Sequence, residues 1–363
     1  LAGLANEPAF TLAERLAALA PGGLERVFFS ESGSVAVEIA MKMAVQAWLN
    51  RGQPDRTQFV CFKGAYHGDT IAAIAIGDPE DGIMGRFQGL MAEQFRLDLP
   101  RNGETRARLD DFLADRAPEC AAVILEPLVQ GAGGMIFHSP ETLKAVREAC
   151  DAHGLLLILD EIMTGLGRLG TLFACEQEGI SPDIVTIAKG LGAGYQPIGA
   201  MLCTAKIYDA IAAGSGFFQH GHTYMGHPVA TAASRAVINA ILGRGLLPKV
   251  RDQGARLKAE LHNAFGQHPN IGDIRGRGLF LGMEFVADRE TKEPFDPKRG
   301  VAKNFKKHAF EAGLICYPMG GTVDGRQGSH VLLAPPYNVS ENQLSDIVDR
   351  LAVSLDTTLK TLD

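Results

Sequence analysis

No run of apolar residues in this chain approaches the ~18 needed to cross a bilayer, and no stretch has the layout of a secretion signal. Positive charge is also scarce: 35 Lys and Arg stand against 42 Asp and Glu, a formal net charge of -7. That balance argues against a nucleic-acid surface, which needs clustered cations to neutralise phosphates. The densest basic stretch, Lys303-Asn304-Phe305-Lys306-Lys307-His308, reads as one solvated helix face. The six cysteines, at 61, 120, 150, 175, 203 and 316, include no C-x-x-C pair, and several lie inside apolar runs. They are expected to be reduced core thiols of a cytoplasmic protein. No serine stands in a G-x-S-x-G context, so a hydrolase reading has little support. With 363 residues the chain has room for two domains of ordinary size. It opens Leu1-Ala2-Gly3-Leu4, the start expected of a fragment or a processed product.

What the chain does contain is concentrated between Gly154 and Gly194. The apolar run 155–159 ends abruptly in Asp160, and the run 184–188 ends in Lys189, followed by Gly190-Leu191-Gly192-Ala193-Gly194. Short continuous apolar runs bounded by turn residues read as buried strands of a parallel sheet, whose ligands lie outside the carboxyl ends of the strands. Asp160 and Lys189 are therefore expected to face one crevice. A lysine at a strand end, with glycines after it and a carboxylate nearby, suits an amine held covalently available, a Schiff-base lysine. Asp160 is placed to pair with a pyridine nitrogen and keep it protonated. Strand alternation puts Ile162 on the same side, as a seat for a flat ring. A buried ion pair between Asp160 and an arginine would leave the same pattern.

Strand and helix patterns alternate elsewhere, which predicts an α/β fold with an open, mostly parallel central sheet flanked by helices. Helical spacing over 9–19 is followed by a strand at 26–29 and a helix at 35–49, whose polar residues Glu38, Lys42 and Gln46 recur every four positions. Glu31-Ser32-Gly33-Ser34 places a glycine and hydroxyls where unpaired N–H groups and the positive helix end converge, a ready seat for a phosphate. An ordinary serine N-cap would look alike. Strands at 59–62, 121–125 and 198–203 and helices at 140–153, 207–213 and 229–243 complete a large domain over 1–244. Tyr66, in the loop after the strand at 59–62, is placed either to cover a flat ring or simply to pack. Residues 77–106 read as a long irregular excursion near the site mouth. From 245 to 363 the texture changes: a helix at 247–265, two strand pieces hinged at glycines over 273–285, a helix ending at 312, strands near 314–317 and 331–333, and a helix at 341–358. This predicts a smaller α+β domain.

Two further motifs are weighed and set aside. Gly165-Leu166-Gly167-Arg168-Leu169-Gly170 matches the dinucleotide fingerprint G-x-G-x-x-G. Its glycines do not directly follow the strand, that strand ends in two carboxylates that repel a pyrophosphate, and the next ends in Lys189 where a ribose-binding acid belongs. His220, His222 and His227 invite a metal reading, but no Cys or acid has suitable spacing, so no metal is expected.

Taken together, Ser32-Gly33-Ser34, Tyr66-His67-Gly68, Glu126-Pro127 with the following glycines, Asp160-Glu161-Ile162 through Gly170, Ala188-Lys189-Gly190 and Gly221-His222-Thr223-Tyr224 resemble the class-III pyridoxal-phosphate aminotransferases of the fold-type-I transferase group. The resemblance implies pyridoxal 5'-phosphate as cofactor, Lys189 as the catalytic Schiff-base residue and Asp160 as the partner of the ring nitrogen. It also implies that Gly33 and Ser34 bind the phosphate, that Tyr66, with His67 in the same cofactor-binding block, covers the ring, and that Ile162 packs beneath it. Thr223 would reach the phosphate of the neighbouring subunit in a homodimer with shared sites. Substrate contacts are expected from Tyr66, Gly221 and Arg326, the last as a bidentate grip on a carboxylate; a solvated loop would carry the same arginine.

The implied reaction is ping-pong transfer of an amino group from a small-molecule amine to a keto acid. Residues 32–38, 66–70 and 172–176 look like the diaminopelargonate synthases, which use S-adenosylmethionine as donor. The region from Lys189 onward, with Gly226-His227-Pro228 and Ala334-Pro335-Pro336-Tyr337, looks more like the omega-amino-acid:pyruvate branch, which is the expectation adopted. An aminomutase on the same fold and a non-catalytic cofactor-binding protein are the alternatives. Relatives carry several dozen further amino-terminal residues, part of the small domain and of the substrate pocket, that are absent from this sequence.

Overall fold

The computed structural model describes residues 4–78, 87 and 89–362. In chain order its first part comprises α1 (Glu7–Leu19), β1 (Arg26–Ser30), α2 (Gly33–Asn50), β2 (Gln58–Phe62), α3 (Ile71–Ala75), β3 (Phe95–Leu97), α4 (Gly103–Arg116) and β4 (Cys120–Leu125). A short hairpin, β5 (Val129–Gln130) and β6 (Ile136–Phe137), leads to α5 (Pro140–His153), β7 (Leu156–Asp160), β8 (Ile184–Ile187), β9 (Gly199–Cys203), α6 (Ala205–Ala213) and α7 (Pro228–Gly243). Seven of these strands form one sheet in the order β1-β9-β8-β7-β4-β2-β3. β7 pairs parallel with β4 and β8, and β2 pairs parallel with β4 and β3, whereas β9 runs antiparallel to both β8 and β1. The mostly parallel sheet flanked by helices is as the sequence predicts.

Each central strand is an apolar run because both of its faces are covered. One face packs on α1, α4, α5 and α7 through Leu12, Leu109, Val146 and Ile238, and the other on α2 and α6 through Ile39, Met43 and Ile207. The polar stripe of α2 is not simply bare: Lys42 donates to the Gln219 carbonyl, Gln46 donates to the Phe217 carbonyl, and Glu38 accepts from the Ala72 N–H.

The remaining chain forms α8 (Leu246–Phe265), β10 (Ile271–Arg277), β11 (Phe280–Phe285), α9 (Val301–Glu311), β12 (Tyr317–Gly320), β13 (Ser329–Leu333) and α10 (Glu341–Lys360). Its strands make an antiparallel sheet, β10-β11-β13-β12, around a core containing Leu257, Phe285, Phe305 and Leu351. A small cluster of Leu128, Val129, Met135, Phe280 and Leu332 joins this sheet to the β5–β6 hairpin.

Several local expectations are corrected. Within the supposed excursion, β3 extends the large sheet by pairing with β2, and α4 starts at Gly103 behind a reciprocal Asn102–Thr105 capping box; residues 79–86 and 88 of that stretch lie outside the described residues. The strand expected near 314–317 begins only at Tyr317, because the Leu314 N–H donates back to the Ala309 carbonyl and closes the end of α9. β7 stops at Asp160, so Ile162 lies in a turn, not on the same strand. No helix among the described residues is long and apolar enough to cross a membrane.

Within the smaller part, α8 crosses the β10–β11 turn at close range. A Cβ on Gly254 would stand 2.1 Å from the Gly278 carbonyl oxygen, against backbone on both sides. Gly254→Ala is therefore expected to lose ~1–3 kcal/mol to overpacking, more than the helix-propensity gain of up to ~1 kcal/mol. A lowered denaturant midpoint with an unchanged slope is the expected reading.

Candidate active site

Because β2, β4, β7 and β8 run parallel, the residues that follow them emerge at one edge of the sheet. β7 delivers Asp160, β8 delivers Lys189 through Ala188, and the loop after β2 delivers Tyr66 and His67. Lys189 has φ 40, in the left-handed region that a non-glycine residue enters at a cost of ~1–3 kcal/mol. Such strain marks a residue whose side-chain direction is imposed by its surroundings. Asp160 is 4% exposed and is held on several sides. Its Oδ2 accepts from His67 Nδ1 at 2.7 Å, and its Oδ1 accepts from the Ile162 N–H at 3.0 Å and from Thr186 Oγ1 at 3.4 Å.

His67 is fully buried. Burial works to lower its pKa, but the hydrogen bond and charge of Asp160, with Glu126 adding, outweigh it and raise the imidazole above its ordinary range. Its Nε2 has no partner among the described residues. Glu126, just past β4, accepts from the Tyr66 N–H at 3.2 Å and from the Gly131 N–H at 2.9 Å. Burial, opposed by the nearby His67, nevertheless pushes its carboxyl up to about 7. Glu161, next to Asp160, accepts from the Ala174 and Cys175 N–H groups at 2.5 and 2.9 Å, and burial again pushes it up to about 7. Burial and the adjacent Asp69 push the Tyr66 phenol up to about 12.

The start of α2 forms a cradle beside these groups. Ser32 caps the helix by accepting from the Val35 N–H, and Ser34 Oγ lies 2.8 Å from Thr70 Oγ1 while accepting from the Thr70 N–H at 2.9 Å. Gly33 is required by close approach: a Cβ there would stand 2.9 Å from Ile162 Cδ1 and 3.3 Å from Ala188 Cβ. Gly68, at φ 124, leaves room for Ser34, whose Oγ would be 2.4 Å from an added Cβ. N–H groups, hydroxyls and the positive end of an 18-residue helix thus converge on one spot suited to an anion.

Gly33, Ser34, Tyr66, His67, Asp160, Ile162 and Lys189 all line one cavity of about 1110 Å³. An anion cradle, an unpartnered buried imidazole nitrogen, a fixed carboxylate and a lysine on the same wall fit a flat phosphorylated pyridine aldehyde such as pyridoxal phosphate. Gly221 and Thr223 are exposed and lie outside that lining. Glu31 at the cradle's edge pairs with His222, which ties their loop to the cavity rim. The structure does not bring Arg326 to this cavity. It sits on the exposed β12–β13 loop, bordering a separate hollow of about 400 Å³ with Lys303 and Lys306. Asp324 Oδ1 accepts from the Arg326 and Gln327 N–H groups and folds the tip onto itself.

The lining also contains groups with no role in the site assigned from the sequence, among them Glu126, Thr70 and Arg168. Arg168 donates to the Leu279 and Pro335 carbonyls at 3.0 and 2.8 Å, and its guanidinium lies 4.6 Å from the Tyr337 ring centroid. In the sequence it stood only within longer stretches, the rejected glycine fingerprint and the block from Asp160 through Gly170, with no role of its own.

The family model for class-III aminotransferases matches residues 1–355. An uncharacterized aminotransferase of Schizosaccharomyces pombe is 39% identical, the match covering 99% of this chain and 82% of that protein. Adenosylmethionine-8-amino-7-oxononanoate aminotransferase of Geobacter sulfurreducens is 37% identical, over 98% of this chain and 80% of that one. An amine transaminase from an uncultivated Pseudomonas species, solved with PLP bound, superposes with a TM-score of 0.86 at 34% identity, covering 98% of this chain and 82% of that chain.

The buried carboxyls give a pH dependence with a definite sign. Glu126 and Glu161 are raised from 4.5 to about 7, so their contributions to stability are complete below 4.5 and are lost as pH rises through about 7. His67, also raised, acts in the same sense, because the protonated ring that Asp160 holds is lost as pH climbs through its raised value. The thermal midpoint of the cofactor-free protein is expected to fall across this window. Glu161→Gln should make the fall shallower, and an unchanged slope would show that Glu161 does not contribute to it.

Proposed function

The chain belongs to the class-III aminotransferases, which depend on pyridoxal phosphate, and from that premise we propose that it moves an amino group from an omega-amino acid or related amine to pyruvate or another keto acid. The observation that carries the reading is the meeting of Lys189, Asp160 and the α2 cradle on one cavity wall. Gly33 and Ser34 would hold the cofactor phosphate, Asp160 the ring nitrogen, Tyr66 and Ile162 the two ring faces, and Lys189 the aldehyde carbon as a Schiff base. The bound cofactor supplies an electron sink for the pair left on the substrate carbon when its proton is removed.

The chain's own residues supply the rest. Lys189 Nζ would carry the proton away from the substrate carbon. Asp160 keeps a negative charge facing the ring nitrogen, and His67 with Thr186 keeps that carboxylate in place. Tyr66 excludes water from one ring face. Thr223 and Gly221, exposed on this chain, would complete the site of a second copy in a homodimer. The division into a large part over 1–244 and a smaller one over 245–363, with the cavity between them, belongs to the same reading.

An amine donor is supported by the likeness to the Pseudomonas amine transaminase and by a lining that includes the uncharged Ile162, Met163 and Ala188. A second reading, the diaminopelargonate synthase reaction with S-adenosylmethionine as donor, is favoured by the Geobacter relative's name and by the block at 172–176.

The test uses the visible absorbance of the lysine-bound cofactor. An omega-amino acid should bleach the band in the absence of a keto acid, and pyruvate should restore it. Bleaching by S-adenosylmethionine alone would transfer the assignment to the second reading. Lys189→Ala should lose the band and at least about 10²-fold in turnover.

A further inference from the structure

We propose that Arg275, on the smaller sheet, is a positioning residue for Tyr66, acting through the tip of the β5–β6 hairpin. The inference rests on the reading that Tyr66 covers the cofactor ring.

Arg275 lies within β10, and its guanidinium is gripped from both ends. Nη1 donates to Glu284 at 2.6 Å and to Asp273 at 2.9 Å, which fixes the plane of the fork. The other edge crosses to the large sheet's side: Nε donates to the Met135 carbonyl at 3.0 Å, and Nη2 donates to the Gly134 carbonyl at 2.7 Å. Those carbonyls belong to a hairpin tip with left-handed backbone at Gly134 (φ 104) and Met135 (φ 53). A tip so shaped presents its carbonyls outward, and a planar fork reads them where a point charge does not. His330, fully buried beside Arg275, is pushed down to about 4 by burial and by that guanidinium, so the ring stays neutral and does not compete for the carboxylates.

The opposite side of the same tip has no slack against the Tyr66 segment. A Cβ on Gly133 would stand 2.1 Å from the Gly64 carbonyl oxygen. Gln130 donates to the carbonyl of Lys63, in the loop that leads from β2 to Tyr66, at 2.7 Å. Glu126 then closes the link, with one oxygen on the Gly131 N–H and the other on the Tyr66 N–H. From Arg275 to the Tyr66 backbone the connection is therefore continuous: guanidinium, hairpin carbonyls, hairpin tip, buried carboxylate, Tyr66. A displacement of the smaller sheet is carried to the ring cover, because packed and hydrogen-bonded interiors do not absorb it.

The experiment is a double-mutant cycle on the full chain loaded with pyridoxal phosphate, read by visible circular dichroism of the bound cofactor and by its rate of loss on dilution. Arg275→Met is expected to speed cofactor loss about tenfold and to change the dichroic band, and to add less than about twofold in a Tyr66→Ala background. Arg275→Lys keeps the charge without the fork and should fall between, and it serves as the test if the Met variant does not fold. Arg277→Gln, which breaks the link to Gln177 elsewhere between the two parts, should change neither readout. Additive effects of the Arg275 and Tyr66 changes, or an Arg275→Met protein altered only in thermal midpoint, would overturn the proposal. A Tyr66→Ala protein with an unchanged band is a separate outcome: it removes the Tyr66 reading itself and the proposal with it.

Discussion

A carboxylate that is 4% exposed at the end of a buried strand is tolerable only if its lone pairs are met by donors. Asp160 imposes that condition, and much of the sheet edge follows from it. His67 must fold across from the loop after β2, the chain must turn at once after β7 so that the Ile162 N–H points back, and Thr186 on β8 must face the same oxygen. The ends of β8, β7 and, across β4, β2 are thereby fixed to one group. Glu126 and Glu161 repeat the arrangement on either side, each giving its oxygens to backbone N–H groups of a loop and so dictating the loop's path. The buried acids thus order the loops that form the cavity wall.

The two parts of the chain contribute different things to that wall. The large sheet provides groups whose positions are set by backbone pairing: the lysine, the aspartate and the helix cradle. The smaller sheet provides grips on irregular backbone. Arg275 holds the hairpin tip from its own strand, and Arg168, from the large part, holds the Leu279 and Pro335 carbonyls in return. In both cases a planar, permanently charged donor satisfies carbonyls that no strand or helix pairs, which is where guanidinium outperforms ammonium.

How much of this was legible in the sequence depended on whether the determinant was local. The buried strands were legible because a short, unbroken apolar run that stops at a charge fits a sheet covered on both faces and little else, and Asp160, Lys189 and the Ser32–Ser34 cradle came with them. The pairing of Ser34 with Thr70 was not, since a hydroxyl 36 residues away leaves no periodic trace. β3 is three residues long and gains its place only from β2 beside it. Arg275 stands in Ile271-Gly272-Asp273-Ile274-Arg275, where alternation suggests an outward-facing cation, and only the approach of the hairpin gives it carbonyls to bind. Arg326 shows the converse: its proximity to Pro335 in sequence says nothing about which way a β12–β13 loop folds, and the loop carries it to a separate hollow.

The single reversed strand has a mechanical consequence for the amine. Because β9 runs antiparallel to β8, the segment 188–198 carrying Lys189 is the link of a strand pair whose two legs, Ile187 and Ala200 opposite one another, are both stitched into the middle of a large sheet. The backbone at Lys189 is moored two residues upstream at Ile187, and downstream by the Ala193 N–H, which donates to the Lys189 carbonyl at 3.0 Å. Any travel of the nitrogen between one bonding partner and the next is confined to rotations of its own four-carbon tether, so its reach is a short arc about a stationary anchor.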